Sequence, residues 1–271
     1  MPPYEVPDWL RVVILAVVQG IGEFLPISSS GHVVVGDALL GGAKESTRLN
    51  IVLHLGTLLS ILVFYWQRIW QLLGSDRRVI GLLIVGTIPA AVVGLTVRYQ
   101  FPQLLESPLL AGFMFSITAF LLMLLLRTKE GEGDYRSMSY RLAILIGLAQ
   151  ALAILPGISR SGATIVAAVL LGLRRDSAAT YSFLLAIPAI GGAGVLELKD
   201  LMDPTEEMEI SLGLLLGGAF IAFVVGLVSL KLLVRLLDRG RLHLFAYWLI
   251  PFGMLVIVWQ LHLMVQNSLG N

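Results

Sequence analysis

Apolar residues run along this chain in long blocks separated by short polar or Gly/Pro-rich stretches. Six blocks, at about 49–66, 79–97, 108–126, 177–196, 211–230 and 242–264, reach the roughly 20 residues a helix needs to cross a bilayer's hydrocarbon. Two regions, 9–42 and 139–173, differ: each holds two short apolar runs on either side of a Gly/Ser/Pro break. Their first runs, VVILAVVQGI and LAILIGLAQALAIL, lead into Pro26 and into Pro156-Gly157. Proline lacks an amide hydrogen and disfavours helix in the residue before it, so both helices are expected to stop there. A helix–break–helix of this length enters the membrane and returns on the same side. The alternative is one kinked full span. Irregular backbone survives at membrane depth only where protein buries it or a watery cavity lines it.

The pattern repeats. With an offset of 131, Gln19–Gly31 matches Gln150–Gly162 at five of 13 positions, and with an offset of 132, residues 81–95 match 213–227 at nine of 15. The halves are therefore 1–130 (broken segment 9–42; spans 49–66, 79–97, 108–126) and 131–271 (broken segment 139–173; spans 177–196, 211–230, 242–264). Each half has three full spans, an odd number, so the second is inverted relative to the first. The expected fold class is an all-α polytopic membrane protein, an inverted repeat of one re-entrant hairpin plus three transmembrane helices per half.

Charge tests this arrangement. With re-entrant segments, one side receives Arg68, Arg77, Arg78, Arg127, Lys129, Arg136, Arg141, Arg174, Arg175, Lys231, Arg235, Arg239 and Arg241. The other receives only Arg11, Lys44, Arg48, Arg98 and Lys199, with the acidic loop Glu197–Glu209. The positive-inside rule makes the first side cytoplasmic and puts both termini outside. Treating the broken segments as full spans would largely dissolve this asymmetry.

Composition agrees with a membrane protein: 57% apolar residues, 14% charged, mean hydropathy +0.86. A net charge of +1 gives no reason to expect nucleic acid as a partner, and the absence of cysteine removes disulfides, thiolate metal sites and cysteine nucleophiles. The start, MPPYEVPDWLRVV, carries two acids and three prolines before its apolar run and reads as mature sequence rather than a signal peptide.

The breaks hold the chemistry. Glu23, His32 and Arg160 are ionisable groups at membrane depth, where such groups are expensive and usually functional. A purely structural reading makes Glu23 and Arg160 a buried pair holding two hairpins together, but Ser28, Ser29, Ser30, His32, Ser159, Ser161 and Thr164 converge with it. In the second break, PGISRSGAT, Pro156-Gly157 ends one helix and Ser159–Thr164 opens the next, directing free amides and a positive dipole end at an anion. Arg160 adds a planar fork suited to phosphate. In the first, Ser28, Ser29 and Ser30 are candidate nucleophiles, His32 a base or nucleophile, and Glu23 a base or metal ligand. Gln19 lies four residues before Glu23, on the same helix face.

These motifs resemble the undecaprenyl-diphosphate phosphatases of bacterial cell-wall synthesis, the bacitracin-resistance type of integral membrane phosphatase. That family carries (E/Q)xxxE running into FLPxSSxGH, and later PGxSRSGxT; here these are Gln19–Glu23, FLPISSSGH (24–32) and PGISRSGAT (156–164). The likeness continues through YSFLLAIP (181–188) and covers essentially the whole chain. Gln at position 19 leaves Glu23 as the single motif carboxylate. The resemblance implies hydrolysis of a polyprenyl diphosphate to the monophosphate carrier lipid and inorganic phosphate, in the inner membrane, with the cleft on the extracytoplasmic side. It implies catalytic Ser29, His32, Glu23 and Arg160, and substrate contacts from Gln19, Ser28, Ser30, Gly157, Ser159, Ser161 and Thr164. It also implies a divalent cation, Mg or Ca, on Glu23. The bilayer and the lipid are the expected partners, and a homodimer is compatible with the chain.

Three nucleophiles stay open: Ser29, which the 131 offset pairs with Arg160; His32, through a phosphohistidine; and a metal-activated water. A secondary transporter or lipid flippase of an anionic substrate is the competing function, because the inverted repeat and broken helices suit one. A membrane scaffold is the third reading, and it leaves Glu23, His32 and Arg160 unexplained. His54, Asp37 and Glu106 are expected in helix–helix bonds or at interfaces, His243 and His262 near the ends of the last span, and Tyr65, Trp66 and Trp70 in an interfacial belt.

Overall fold

The computed structural model describes residues 7–39, 47–129, 131–201 and 210–269. Lys44 and residues 202–209 of the acidic loop lie outside the described residues. Eleven α-helices and no β-strand occur among the described residues, with one isolated bridge between Gly133 and Leu173. The first broken region is α1 (Asp8–Gly22) and α2 (Ser29–Leu39); α3 (Thr47–Phe64), α4 (Trp66–Leu73), α5 (Arg77–Gln100) and α6 (Pro108–Leu124) follow. The second broken region is α7 (Tyr140–Leu152) and α8 (Arg160–Leu170), then α9 (Arg175–Leu201), α10 (Leu212–Asp238) and α11 (Ala246–Leu269).

Among the described residues, five helices are long and apolar enough to cross a membrane: α5, α6 with the 3₁₀ turn at its end, α9, α10, and α11 with the 3₁₀ turn before it. The block expected as a span over 49–66 behaves differently. Helix α3 stops at Phe64, Tyr65 leaves helical geometry (φ −102°, ψ 18°), and α4 departs at 73°, so α3 and α4 count as a sixth span only together. In WQRIWQLL, Leu72 turns inward while Trp66 and Trp70 stay exposed. Tyr65 corrects the expected belt: it is 7% exposed and stacks on Phe183 at 6.0 Å between ring centres. Helix α9 continues to Leu201, so the acidic stretch from Glu197 begins as helix.

The four short helices of the broken pairs have 11 to 15 residues, at most about 22 Å at 1.5 Å per residue, too short to cross the hydrocarbon alone. Helix α1 packs on α2 and α10, and α7 packs on α8 and α5. Around them α3 packs on α9 and α10, and α6 on α11. Phe24, Phe115, Tyr181 and Phe183 are fully buried where these elements meet. Large apolar side chains such as Ile84, Val92, Phe120, Phe220 and Leu255 face outward, as expected where the surrounding solvent is lipid.

The loops rich in cations gather at one end. Arg136 pairs with Asp76 (3.3 Å), Arg78 donates to the carbonyls of Arg136 and Met138 (2.7 Å each), and the Tyr135 amide donates to Ser177 Oγ (2.7 Å). Helix α5 carries Arg77 and Arg78 at this end and Arg98 at the other.

Candidate active site

The two breaks are built alike and touch each other. Ser28 sits in the left-handed region (φ 68°), a conformation that costs a non-glycine residue about 1–3 kcal/mol unless its surroundings hold it. Two bonds do so: its Oγ accepts the amide of Gly31 (3.3 Å), capping α2, and the amide of Gly157 (3.1 Å) from the other break. Ser159 caps α8 in the same way, accepting the Gly162 amide on Oγ (3.1 Å). Gly157 has φ 95°, and its carbonyl accepts the Thr118 hydroxyl (2.8 Å). A side chain at Gly31 would lie 2.6 Å from the Gly157 nitrogen, so the tips meet only because that position has no Cβ.

Glu23, 8% exposed, is the node between the breaks. Gln19 Nε2 donates to its Oε2 from one turn earlier (3.0 Å), and Ser29 Oγ donates to the same oxygen (3.1 Å). Arg160 Nη2 donates to Oε1 from the second break. The Glu23–Arg160 pair is thus formed, and Ser29 and Arg160, aligned by the 131 offset, meet on opposite oxygens of one carboxylate. His54 Nε2 stands 3.9 Å from Oε2. Arg160 Nη1 is buried and has no hydrogen-bond partner among the described residues. One nitrogen of the guanidinium therefore holds Glu23 while the other is available for an anion. Removing one member of such a buried pair leaves an uncompensated charge and costs about 3–5 kcal/mol.

The cluster forms part of the wall of a cavity of about 580 Å³. Glu23, Ser28, Ser29, Ser30 and Arg160 line it from the breaks, and His54 from α3. The remaining wall is mainly apolar: Ala90, Ala91 and Leu95 of α5, Ala153 and Ile154 after α7, and Ala189 and Ile190 of α9. Arg98 also lines it, which places the cavity towards the end of α5 remote from Arg77 and Arg78.

The remaining expected site residues are distributed unequally. Ser30 is exposed on the cavity wall, 3.4 Å from Ser28 Oγ. Ser159, Ser161 and Thr164 are buried beneath it: Ser159 Oγ lies 3.1 Å from Ser161 Oγ, and Thr164 donates to the Arg160 carbonyl (2.8 Å). Two amides expected to face an anion are taken internally, Ser159 N–H by Thr118 Oγ1 (3.0 Å) and Gly162 N–H by Ser159 Oγ.

His32 points away from the cavity, into a nest formed by Phe115, Trp248 and Phe252, stacked on Phe252 at 4.6 Å. Trp248 Nε1–H donates to its Nε2 (3.1 Å), so the ring proton sits on Nδ1 and donates to the Ser28 carbonyl (2.9 Å). Both nitrogens are engaged. Asp37 makes the helix–helix bond expected of it, with Arg11 at 3.3 Å, and Glu106 is exposed. Of the polar side chains on the cavity wall, His54, Thr87, Arg98 and Gln150 are not among the site residues the sequence points to. Nothing in the sequence around His54 distinguishes it, whereas the repeat aligns Gln150 with Gln19.

Residues 12–255 match the family described as Bacitracin resistance protein BacA. The chain is similar to the Undecaprenyl-diphosphatase of Rhodopirellula baltica, 56% identical over 94% of this chain and 99% of that relative. It is also similar to the Undecaprenyl-diphosphatase of Halothermothrix orenii (39% identical; 92% of this chain, 96% of the relative) and to that of Methanosphaera stadtmanae (36%; 93% and 98%). A match that runs through both broken helix pairs and the Glu23 node shows that the chain belongs to the bacitracin resistance protein BacA family.

Proposed function

We propose that this chain is a polyprenyl-diphosphate phosphatase, which removes the terminal phosphate of undecaprenyl diphosphate to give the monophosphate carrier lipid and inorganic phosphate. The observation that carries this reading is the convergence of Ser29 and Arg160 on the two oxygens of Glu23, in the wall of a largely apolar cavity. Relatives named Undecaprenyl-diphosphatase over nearly their whole length support it, and favour hydrolysis over transport.

Arg160 Nη1 takes an oxygen of the terminal phosphate while Nη2 stays on Glu23. Ser29 Oγ attacks the phosphorus in line and passes its proton to Glu23 Oε2, the atom to which it already donates. The bond from phosphorus to the bridging oxygen breaks, and the prenyl monophosphate leaves with that oxygen. Glu23 passes the serine proton to the departing monophosphate and then takes one from a water, whose oxygen attacks the phosphoserine; the phosphorus–Oγ bond breaks, Ser29 takes the proton back from Glu23, and inorganic phosphate leaves. His32 acts from behind the break, tying the Ser28 carbonyl and so fixing Ser29. A phosphohistidine route requires its ring to release both present partners.

A divalent cation fits as a group carried largely by substrate. No set of three or more His, Cys, Asp or Glu side chains able to hold a metal occurs among the described residues, but one carboxylate plus phosphate oxygens is an ordinary magnesium arrangement. Glu23 would hold it, and it would supply charge neutralisation on the diphosphate.

The architecture belongs to the same proposal: two inverted halves, 1–130 and 131–271, with re-entrant pairs α1–α2 and α7–α8 in an inner membrane. Three observations support it. Helix α1 packs on α10 as α7 packs on α5, Ser28 caps α2 as Ser159 caps α8, and Gly31 packs on Gly157 as Gly162 packs on Pro26. The gathered cationic loops support a cytoplasmic assignment of that end, with the termini and the cavity mouth outside.

Phosphate release from undecaprenyl diphosphate by the purified protein in detergent tests the activity; no release sinks it. A single cysteine at position 134 tests the orientation, which fails if an impermeant reagent labels it from outside intact cells.

A further inference from the structure

The two halves place a glutamine at the same point, and the two side chains have opposite fates. Gln19 donates to Glu23, one turn on. Its repeat partner Gln150 is followed one turn on by Ile154, which offers no carboxylate. Gln150 lines the cavity, is 2% exposed, and neither its Nε2 nor its Oε1 has a hydrogen-bond partner among the described residues. A buried amide with both ends unbonded is destabilising, and such an amide beside a binding cavity has a natural partner in a ligand.

Resting on the phosphatase reading, we infer that Gln150 is a substrate-binding residue whose Nε2 donates to a non-bridging oxygen of the diphosphate headgroup. Arg160 Nη1, the other buried unbonded donor on this cavity, binds the same headgroup, so the lipid's two phosphates are held by two donors from the second half. Gln150 Oε1 is then the acceptor for a protonated phosphate oxygen. The ligand class is a diphosphate. The amide carries no charge, so it fixes the headgroup's orientation more than it adds attraction, and its loss falls on kcat/KM.

The test compares Gln150→Leu and Gln150→Glu with the wild type, reading turnover of undecaprenyl diphosphate, binding of inorganic pyrophosphate by calorimetry, and thermal stability in detergent. A hydrogen bond to a charged group predicts a kcat/KM loss of roughly ten- to a hundredfold for Gln150→Leu. Pyrophosphate binding weakens by a similar factor, while the melting temperature stays level or rises. Gln150→Glu, nearly identical in shape, loses more, because it sets a carboxylate against phosphate. Turnover and pyrophosphate binding both within about twofold of wild type overturn the inference, as does a loss of activity that tracks a fall in melting temperature. Wild-type protein that binds pyrophosphate through Gln150 but releases no phosphate from the lipid would instead defeat the phosphatase reading and leave the subsite standing.

Discussion

The first and second broken helix pairs share a scaffold and divide the chemistry. Ser28 and Ser159 cap their second helices alike, Ser30 and Ser161 lie within 3.4 Å and 3.1 Å of those caps, and each pair's first helix packs on an equivalent long helix of the other half. Two of the aligned positions at which they differ change the chemistry. Where the first pair has Glu23 and Ser29, the second has Ile154 and Arg160. Those exchanges give the first pair a proton acceptor and a hydroxyl, and the second a cation and an unbonded amide. Two broken segments that stayed chemically identical would set two carboxylates or two arginines face to face, with like charges close together in a medium that screens them poorly. Divergence of the two segments makes the meeting of Glu23 with Arg160 attractive.

The largest effect is expected from Ser29→Ala, which removes the hydroxyl unique to the first pair: a fall in kcat of about a thousandfold or more, roughly 4 kcal/mol of barrier. Quenched-flow trapping with terminally labelled substrate checks the assignment. An acid-stable, base-labile phosphoprotein in the wild type fits serine, and an acid-labile one transfers the role to His32.

Glu23→Gln is next, at about a hundred- to a thousandfold in kcat, within the range of general acid–base catalysis. It also leaves Arg160 without its ion pair, so the melting temperature should fall as well. If wild-type turnover persists in excess chelator, Glu23 serves as a base alone.

Arg160→Lys keeps the charge but not the fork that spans Glu23 and phosphate, and should cost about tenfold or more, a barrier increase of about 1.4 kcal/mol. Phosphate-release rates within about twofold of wild type would reduce Arg160 to holding the pairs together.

The smallest effect sharpens the contrast directly. Ile154→Glu gives the second pair the carboxylate it lacks, supplies Gln150 with a partner and adds negative charge near the phosphates. A loss of about fivefold in kcat/KM is expected, about 1 kcal/mol, read from steady-state phosphate release. No change would mean that headgroup binding does not use that wall.

Much of this contrast is legible in the amino-acid sequence. The ends of α1 and α7 follow from Pro26 and Pro156, and the Glu23–Arg160 pair follows from two ionisable groups placed in equivalent breaks. The bend after Phe64 is not legible there, because LVFYWQRIW is apolar enough to read as continuous span, and only the packing of Tyr65 on Phe183 separates α4 from α3. The direction of His32 is hidden as well. One turn after a helix start, a ring faces whichever neighbour supplies partners, and Phe115, Trp248 and Phe252 come from helices distant in sequence. His54 reaches the cavity for the same kind of reason, through the rotation of α3 against α9 and α10. Gln150 is half visible: the repeat aligns it with Gln19, and Ile154 stands where its partner should be.

The sequence alone determined the elements and their chemistry, because proline geometry, hydrocarbon thickness and the cost of burying charge act locally and leave a record in each segment. Tertiary structure alone decided which groups share a cavity. A helix fixes the angles between its own side chains but not its rotation against its neighbours, and that rotation turned His32 away, brought His54 within 3.9 Å of Glu23 and left the Gln150 amide without a partner among the described residues.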